Sequence, residues 1–289
     1  MNGARAKIHG HRGARGRRPE NTLAAIEYAL RCGADGIEAD LCVTADDRIV
    51  LHHDLRLNRD IAREADGRWV GERDDVVGER NDGVNQPPAI RELTLRELRR
   101  YDVGRLRPGS DYAARFPKQT PTDGARAPTL RECAELIERR GGDTVFNLEL
   151  KSDPGNPELT PAPARYLDLV QRELERLAVM PRVLLQSFDW GLMRLAARRR
   201  ASWRVGFTMH KPCSRADLEA VKAGGGAVFS CEHAALDWSL LRAAHELGLA
   251  VCAWTVNDAH DIEAVARLGV DVITTDYPKR CREILSRRG

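Results

Sequence analysis

The stretch Lys7–Leu41, KIHGHRGARGRRPENTLAAIEYALRCGADGIEADL, contains one complete strand–helix–strand unit. Apolar runs predict strands over Lys7–His11 and Gly36–Leu41. Between them, Asn21 or Thr22 can cap a helix whose apolar face is formed by Leu23, Ile26 and Leu30. Because a helix that joins two successive strands is typical of a parallel crossover, this unit predicts a parallel sheet.

The same alternation of strands and helices continues to the end of the chain. Six further strands are predicted over Val145–Lys151, Val183–Phe188, Val205–Met209, Ala227–Cys231, Ala250–Thr255 and Val270–Thr274. Eight parallel strands that alternate with helices favour an α/β fold of the (β/α)8 TIM-barrel type over an open sheet.

The composition excludes several classes of protein. The 289 residues carry a net charge of only +3, so no basic excess indicates a nucleic-acid partner. No apolar run is long enough to predict a membrane span, and the N-terminal residues lack the apolar core of a signal peptide. The seven scattered cysteines contain no C-x-x-C pair, which favours free thiols and a cytoplasmic location.

A long segment rich in Gly, Pro, Asp and Arg interrupts the alternation after the second strand. We interpret residues 55–128 as an insertion subdomain on a barrel loop, and residues 1–54 together with 129–289 as the catalytic barrel domain. A disordered linker is the alternative. Four aromatic residues favour a packed insertion: Trp69, Tyr101, Tyr112 and Phe116.

A further β-like run, Arg48–His53, follows the second strand too closely for a crossover helix. We therefore expect an antiparallel hairpin that grows out of the second strand. A turn near Asp46 is expected to set His53 opposite Asp40. A ladder shifted by one residue would turn these side chains to the other face.

Strand alternation gathers acidic side chains on one face. Glu38 and Asp40 are two residues apart, and Asn147, Glu149 and Lys151 share a face of a later strand. Their positions near the carboxyl ends of barrel strands are where barrel active sites are built. Three carboxylates without a nearby cysteine suit a hard divalent cation, and ion pairs with arginines are the alternative.

Two histidines are candidates for acid–base chemistry. His11 and His53 flank the predicted carboxylates, and histidine can accept and donate protons near neutral pH. Arg12 and Lys151 are candidate phosphate-binding cations, unless they pair with the same carboxylates. We expect structural hydrogen bonds for His9, His52, His210, His233, His245 and His260, and a solvated rim for Arg15, Arg17 and Arg18.

Several short motifs occur together in this chain. In order they are HRGARGRRPENT, GADGIEADLCVTADDRIVLHHD, NLELK, QSF, WTVN and TTDYP, and they extend from His11 to Pro278. Together they resemble the glycerophosphodiester phosphodiesterase family. The chain departs from the family where TADD replaces the usual TKDG turn, and its insertion is long.

The resemblance implies a fold, an activity and a site. The fold is a phosphodiesterase-type TIM barrel with a subdomain inserted after the HD motif. The activity is hydrolysis of glycerophosphodiesters to sn-glycerol 3-phosphate and an alcohol with one divalent cation, Mg²⁺ or Ca²⁺. The residues that match the family's site are His11 and His53 for catalysis, Glu38, Asp40 and Glu149 for the metal, and Arg12, Lys151, Gln186 and Trp254 for the substrate.

Within that reading we interpret His11 as the base and His53 as the acid, and the nucleophile is either water or the glycerol 2-hydroxyl. One alternative is a lyase that acts on lysophospholipid or sphingolipid headgroups and leaves a cyclic phosphate. Another is a non-catalytic barrel that binds phosphate or lipid through its N-terminal arginines. The expected partner is a small-molecule diester, with no nucleic acid and no stable membrane insertion, and homo-oligomerisation stays open.

Overall fold

The computed structural model describes residues 5–71, 86–140, 142–200, 202–210 and 213–287. Its strands are β1 Lys7–Gly10, β2 Gly36–Val43, β3 Ile49–Leu51, β4 Val145–Leu150, β5 Val183–Ser187, β6 Arg204–Met209, β7 Val228–Glu232, β8 Ala250–Trp254 and β9 Val272–Thr275. Its helices are α1 Leu23–Arg31, α2 Leu95–Leu98, α3 Asp111–Arg115, α4 Leu130–Arg140, α5 Pro163–Arg176, α6 Trp190–Arg199, α7 Arg215–Ala223, α8 Trp238–Glu246, α9 Ala259–Leu268 and α10 Pro278–Ser286.

Eight parallel strands close into a barrel. Strand β1 pairs with β2 on one side and with β9 on the other, and the remaining parallel pairs follow in chain order. Helices lie outside the sheet, so the predicted (β/α)8 barrel is confirmed. All eight strands predicted from the sequence are present, with ends that differ by a residue or two.

The expected hairpin is present, but its predicted register is wrong by one residue. Strands β2 and β3 are antiparallel, with Leu41 opposite Leu51, and the amide N–H of His52 donates to the carbonyl of Asp40 at 3.0 Å. The Thr44 N–H donates to the carbonyl of Arg48 at 3.0 Å, so the turn between these two residues has three residues, and the last of them, Asp47, lies in the left-handed region at φ 56°. His52 therefore takes the place opposite Asp40, and His53 lies just beyond the strand.

Two of the three hydrophobic clusters formed by the described residues hold the barrel and its long loop together. The larger one lies between the barrel sheet and the outer helices. The smaller one joins the hairpin, through Cys42 and Val50, to residues of the insertion such as Leu57, Leu98 and Phe116. The described part of the predicted insertion thus packs on the β2–β3 hairpin. Residues 72–85 lie outside the described residues. The domain boundaries at 55 and 128 stay a prediction.

Within the described residues, no helix has both the length and the apolar character needed to cross a membrane. All seven cysteines belong to this part of the chain, and each carries a free thiol.

Candidate active site

A cavity of about 420 Å³ opens at the carboxyl ends of the barrel strands. Every predicted catalytic and substrate-binding residue lines it: His11, His53, Arg12, Lys151, Gln186 and Trp254. Glu38 and Glu149 line it as well. The structure therefore brings together, at one end of the barrel, residues that are separated by more than two hundred positions in the chain.

Three carboxylates converge beneath the cavity. Parallel pairing of β2 with β4 sets Asp40 beside Glu149, and strand alternation puts Glu38 on the same face. One ligand oxygen from each of these three carboxylates lies within 4.8 Å of the others. Burial raises the pKa of Glu38 well above its usual value, and repulsion from Asp40 and Glu149 raises it further.

The three carboxylates differ in their cationic partners. Lys151 Nζ lies 2.6 Å from Glu149 and 3.6 Å from Asp40, and Arg12 Nε lies 3.3 Å from Asp40. In the part of the chain that the structure describes, no lysine or arginine pairs with Glu38, whose Oε2 accepts the Arg12 amide at 2.8 Å. A buried carboxylate without a cation partner, next to two others, fits a divalent cation with oxygen ligands.

His11 is hydrogen-bonded to the buried carboxylate of Asp276. Its Nδ1–H donates to Asp276 Oδ1 at 2.7 Å, which leaves Nε2 facing the cavity, 3.9 Å from Glu38. The pKa of His11 is lowered to about 4, chiefly by burial and also by the charge of Arg15, while Asp276 acts in the opposite direction. At neutral pH His11 is therefore uncharged, with its lone pair on the nitrogen that faces the cavity.

Asp276 is itself fixed by several donors. Arg15 donates to both of its oxygens at 3.0 Å, and Asn257 Nδ2 donates to Oδ2 at 2.8 Å. Burial alone would raise the pKa of Asp276, but the hydrogen bonds from His11 and Arg15, together with the charge of Arg15 and that of His11 when protonated, hold it well below its usual range. The prediction that Arg15 belongs to a solvated rim is wrong, because its side chain is buried against Asp276.

Arg12 follows the first strand in the left-handed region, at φ 50°. Its guanidinium donates to Glu20 at 2.7 Å and lies beside Asp40, so the pairing with carboxylates that the sequence left open is realised. Gly13 follows at φ 81°, and a Cβ there would lie 2.6 Å from the backbone of Ala25. The close approach of this loop to α1 therefore requires glycine.

His53 lines the same cavity and follows the end of β3. Its Nδ1 lies 2.7 Å from Asp54 Oδ1, and Asn58 Nδ2 donates to the other oxygen of that carboxylate at 2.7 Å. Burial alone would raise the pKa of Asp54, but the hydrogen bond and charge of His53 lower it. Both candidate catalytic histidines are thus oriented through Nδ1 by an ionised aspartate.

Aromatic rings form the outer wall of the cavity. Phe188 and His210 stack with centroids 4.8 Å apart, and Trp254 meets Phe188 edge-on at 5.6 Å. We predicted a structural hydrogen bond for His210. In the structure its ring lines the cavity and stacks on Phe188. Gln186 lies deeper in the cavity and is almost fully buried.

Sequence reasoning missed part of the site. Asp276 belongs to the TTDYP motif, and that motif could have identified it as a candidate site residue. Its contact with His11 could not be predicted from the sequence. Glu20 and Asn21 belong to the PENT motif, which we interpreted as a helix start. In the structure Glu20 pairs with Arg12, and Asn21 Nδ2 donates to Asp40 at 2.8 Å.

The chain is similar in sequence and in structure to known phosphodiesterases. The model of the glycerophosphoryl diester phosphodiesterase family matches residues 11–280. A glycerophosphodiester phosphodiesterase from Bacillus altitudinis is 29% identical over 286 residues, which cover 96% of this chain and 97% of that relative.

Solved structures resemble the chain over its whole length. A crystal structure from Silicibacter pomeroyi, provisionally assigned as a glycerophosphoryl diester phosphodiesterase, has a TM-score of 0.88 at 32% identity and covers 100% of this chain and 95% of its own. A phosphodiesterase from Oleispira antarctica, solved in complex with the product sn-glycerol-3-phosphate, has a TM-score of 0.72 at 24% identity, covering 98% and 97%. At 24% identity, the similarity to this second structure supports the fold alone.

Proposed function

The chain belongs to the glycerophosphoryl diester phosphodiesterase family, and on that premise we propose that it hydrolyses glycerophosphodiesters to sn-glycerol 3-phosphate and an alcohol. The observation that carries the proposal is the convergence of His11, His53 and three carboxylates around one cavity. In this proposal Glu38, Asp40 and Glu149 hold one divalent cation, Mg²⁺ or Ca²⁺.

His11 is suited to accept a proton. Its Nδ1–H is committed to Asp276, so the lone pair on Nε2 is free for the proton of the attacking hydroxyl. Burial favours the neutral imidazole, which is the form that a base needs at neutral pH. We therefore assign His11 as the general base.

His53 is suited to donate a proton to the departing alkoxide. Asp54 accepts the hydrogen bond from Nδ1–H, so that Nε2 is the nitrogen left to donate a proton to the leaving group. His53 and His11 both line the cavity, so base and acid can act on one bound diester. This division of roles is part of the proposal.

Arg12 and Lys151 supply positive charge for the phosphate. Both are anchored by carboxylates, Arg12 on Glu20 and Lys151 on Glu149, so they are positioned before substrate arrives. A divalent cation at the three carboxylates would, when bound, add electrostatic stabilisation of the charge that grows on the phosphate oxygens.

The first experiment measures sn-glycerol 3-phosphate released from glycerophosphoethanolamine before and after treatment with EDTA. We expect loss of activity on chelation and recovery with Mg²⁺ or Ca²⁺, and the same loss in Glu38→Gln. Unchanged turnover after complete chelation would contradict the metal role. Phosphorus NMR of the product distinguishes the monoester from the cyclic phosphate that the lyase reaction would leave.

The second experiment tests the histidines. His11→Ala and His53→Ala are each expected to lower kcat by on the order of 10² to 10⁴. His260→Ala is the matched control, because the His260 side chain is 86% exposed on the outer surface. Wild-type turnover in either of the first two variants would remove that residue from the mechanism.

A further inference from the structure

A side groove of about 300 Å³ continues from the active-site cavity. The two spaces share four lining residues: Arg15, Arg115, Trp254 and Thr255. The groove then extends past Trp254 to Glu232 and His233. It borders Asp276, which holds His11, so a group bound there lies next to the reacting centre.

One rim of the groove carries a cation that the insertion supplies. Arg115 ends α3, is exposed, and stacks its guanidinium over Tyr112 at 5.1 Å and Phe116 at 5.7 Å. Among the described residues it makes no ion pair. The charge of Arg115 is therefore held in place by aromatic rings and stays available to a ligand.

Helix α3 is firmly docked on the barrel. The Tyr112 hydroxyl donates to Glu20 and accepts from Arg15 at 3.2 Å. Phe116 is buried and lies under the Arg15 guanidinium, 4.6 Å from its ring centroid. The short helix, and with it Arg115, is thus positioned by residues that also build the catalytic centre.

The same groove is also lined by a carboxylate, that of Glu232. Glu232 is the last residue of β7, at the barrel end where substrate groups are contacted, and its side chain is half-buried. Across the described ranges it has neither an ion pair nor a side-chain hydrogen bond. The neighbouring His233, in contrast, lies 3.4 Å from Asp261. A cation and an anion without partners thus line the same groove without contacting each other.

We propose that this groove binds the leaving alcohol, and that Arg115 and Glu232 select an alcohol that carries both a carboxylate and an ammonium group. The substrate of this chemistry is a glycerophosphodiester with a serine headgroup. This inference rests on the proposed function and names the substrate class at the same site. An ethanolamine or choline headgroup would leave Arg115 unpaired, and an uncharged glycerol headgroup would satisfy neither residue.

The test compares kcat/KM for glycerophosphoserine, glycerophosphoethanolamine and glycerophosphoglycerol. We expect the serine diester to be the best substrate of the wild type. Arg115→Gln should lower the serine-to-glycerol ratio of kcat/KM by roughly three- to tenfold, and leave the ethanolamine-to-glycerol ratio within twofold. Glu232→Gln should lower both ratios by roughly three- to tenfold. Arg198→Gln, an exposed arginine on α6, is the matched control and should change neither ratio.

The outcomes separate the two proposals. If the wild type releases sn-glycerol 3-phosphate from none of the three diesters, the proposed function fails. If it hydrolyses the glycerol diester but Arg115→Gln and Glu232→Gln leave the ratios unchanged, only the headgroup assignment is overturned. An equal fall of kcat/KM for all three diesters would also overturn it, since the two residues would then not distinguish headgroups.

Discussion

Asp276 shows how much one buried residue contributes to the candidate site. It accepts hydrogen bonds from His11, Arg15 and Asn257, and it has no exposed surface. Because the carboxylate stays ionised, it can only accept, and the proton between it and His11 belongs to Nδ1. Asp276 thus fixes which nitrogen of His11 is free to accept a proton.

Replacing this carboxylate by an amide tests its positioning role. Asp276→Asn keeps the shape but no longer enforces the Nδ1–H tautomer, so we expect kcat to fall by on the order of 10² to 10⁴. The negative charge raises the pKa of His11, so its removal should move the acidic limb of the pH–kcat profile to lower pH.

The measurement is a pH profile of kcat for wild type, Asp276→Asn and the control Asp258→Asn. Asp258 is exposed and makes no side-chain cap at the start of α9, so its variant should behave like the wild type. A variant at Asp276 with a wild-type kcat and an unshifted acidic limb would refute the positioning role.

Some residues of the candidate site could be predicted from the sequence and others could not, and the difference has a physical reason. Glu38 and Asp40 could be predicted to share a face, because alternation along one strand is a local property. The pairing of Arg15 with Asp276 joins residues 261 positions apart and depends on β1 lying beside β9. A local pattern carries no information about such a contact, and so Arg15 was predicted to be solvated.

At the scale of elements, the β2–β3 hairpin shows how a turn decides which side chain enters the site. The existence of the hairpin follows from the short spacing of two β-like runs, which is readable from the sequence. Its register depends on Asp47 adopting positive φ, which closes a three-residue loop. His53 consequently reaches the cavity from just beyond the strand rather than from within the ladder.

Helix α3 allows a direct test of how the insertion is coupled to the barrel. Tyr112→Phe removes the hydroxyl that bridges Glu20 and Arg15. We expect the free energy of unfolding to fall by about 1 kcal/mol, the usual size for one buried hydrogen bond, and the KM for diesters to rise because Arg12 and Arg15 lose a hydrogen-bond partner. Urea unfolding and steady-state kinetics measure the two effects.

A double-mutant cycle shows whether the effect passes through Glu20. Glu20→Gln should destabilise the wild type more than it destabilises Tyr112→Phe, because the variant has already lost the shared hydrogen bond. Equal effects of Glu20→Gln in both backgrounds would mean that Tyr112 and Glu20 act independently, contrary to this prediction.

At the scale of the whole molecule, closure of the barrel places polar side chains in its interior. His9, Asn147 and Ser230 are buried at least 98%, and each has a side-chain polar atom without a hydrogen-bond partner among the described residues. His9 packs so closely on β2 that a Cβ at Gly36 would lie 2.5 Å from its ring. The barrel itself was predictable from its periodic strands, but this close packing arises only once the sheet has closed.

Burial of His9 links the stability of the whole fold to pH. Burial lowers the pKa of His9 to about 4 in the folded protein, compared with an ordinary value of 6.5 for a solvated histidine. As the pH falls below 6.5, the unfolded chain takes up a proton that the folded protein refuses, so stability is lost down to about pH 4. Between pH 7 and 5 this one group should lower the free energy of unfolding by about 2 kcal/mol.

Urea unfolding at pH 7 and pH 5 tests this linkage. His9→Phe keeps an aromatic ring in the barrel without a titrating group, and His9→Gln is a second, smaller replacement in case the first packs poorly. In either variant the fall in unfolding free energy between the two pH values should shrink by about 2 kcal/mol relative to the wild type. The matched control is His260→Ala, which should retain the full fall because the His260 side chain is 86% exposed and packs against nothing in the barrel interior. His11, whose pKa is also lowered by burial, should leave part of the pH dependence in every variant. A fall in His9→Phe and His9→Gln as large as in the wild type would show that His9 does not couple protonation to folding.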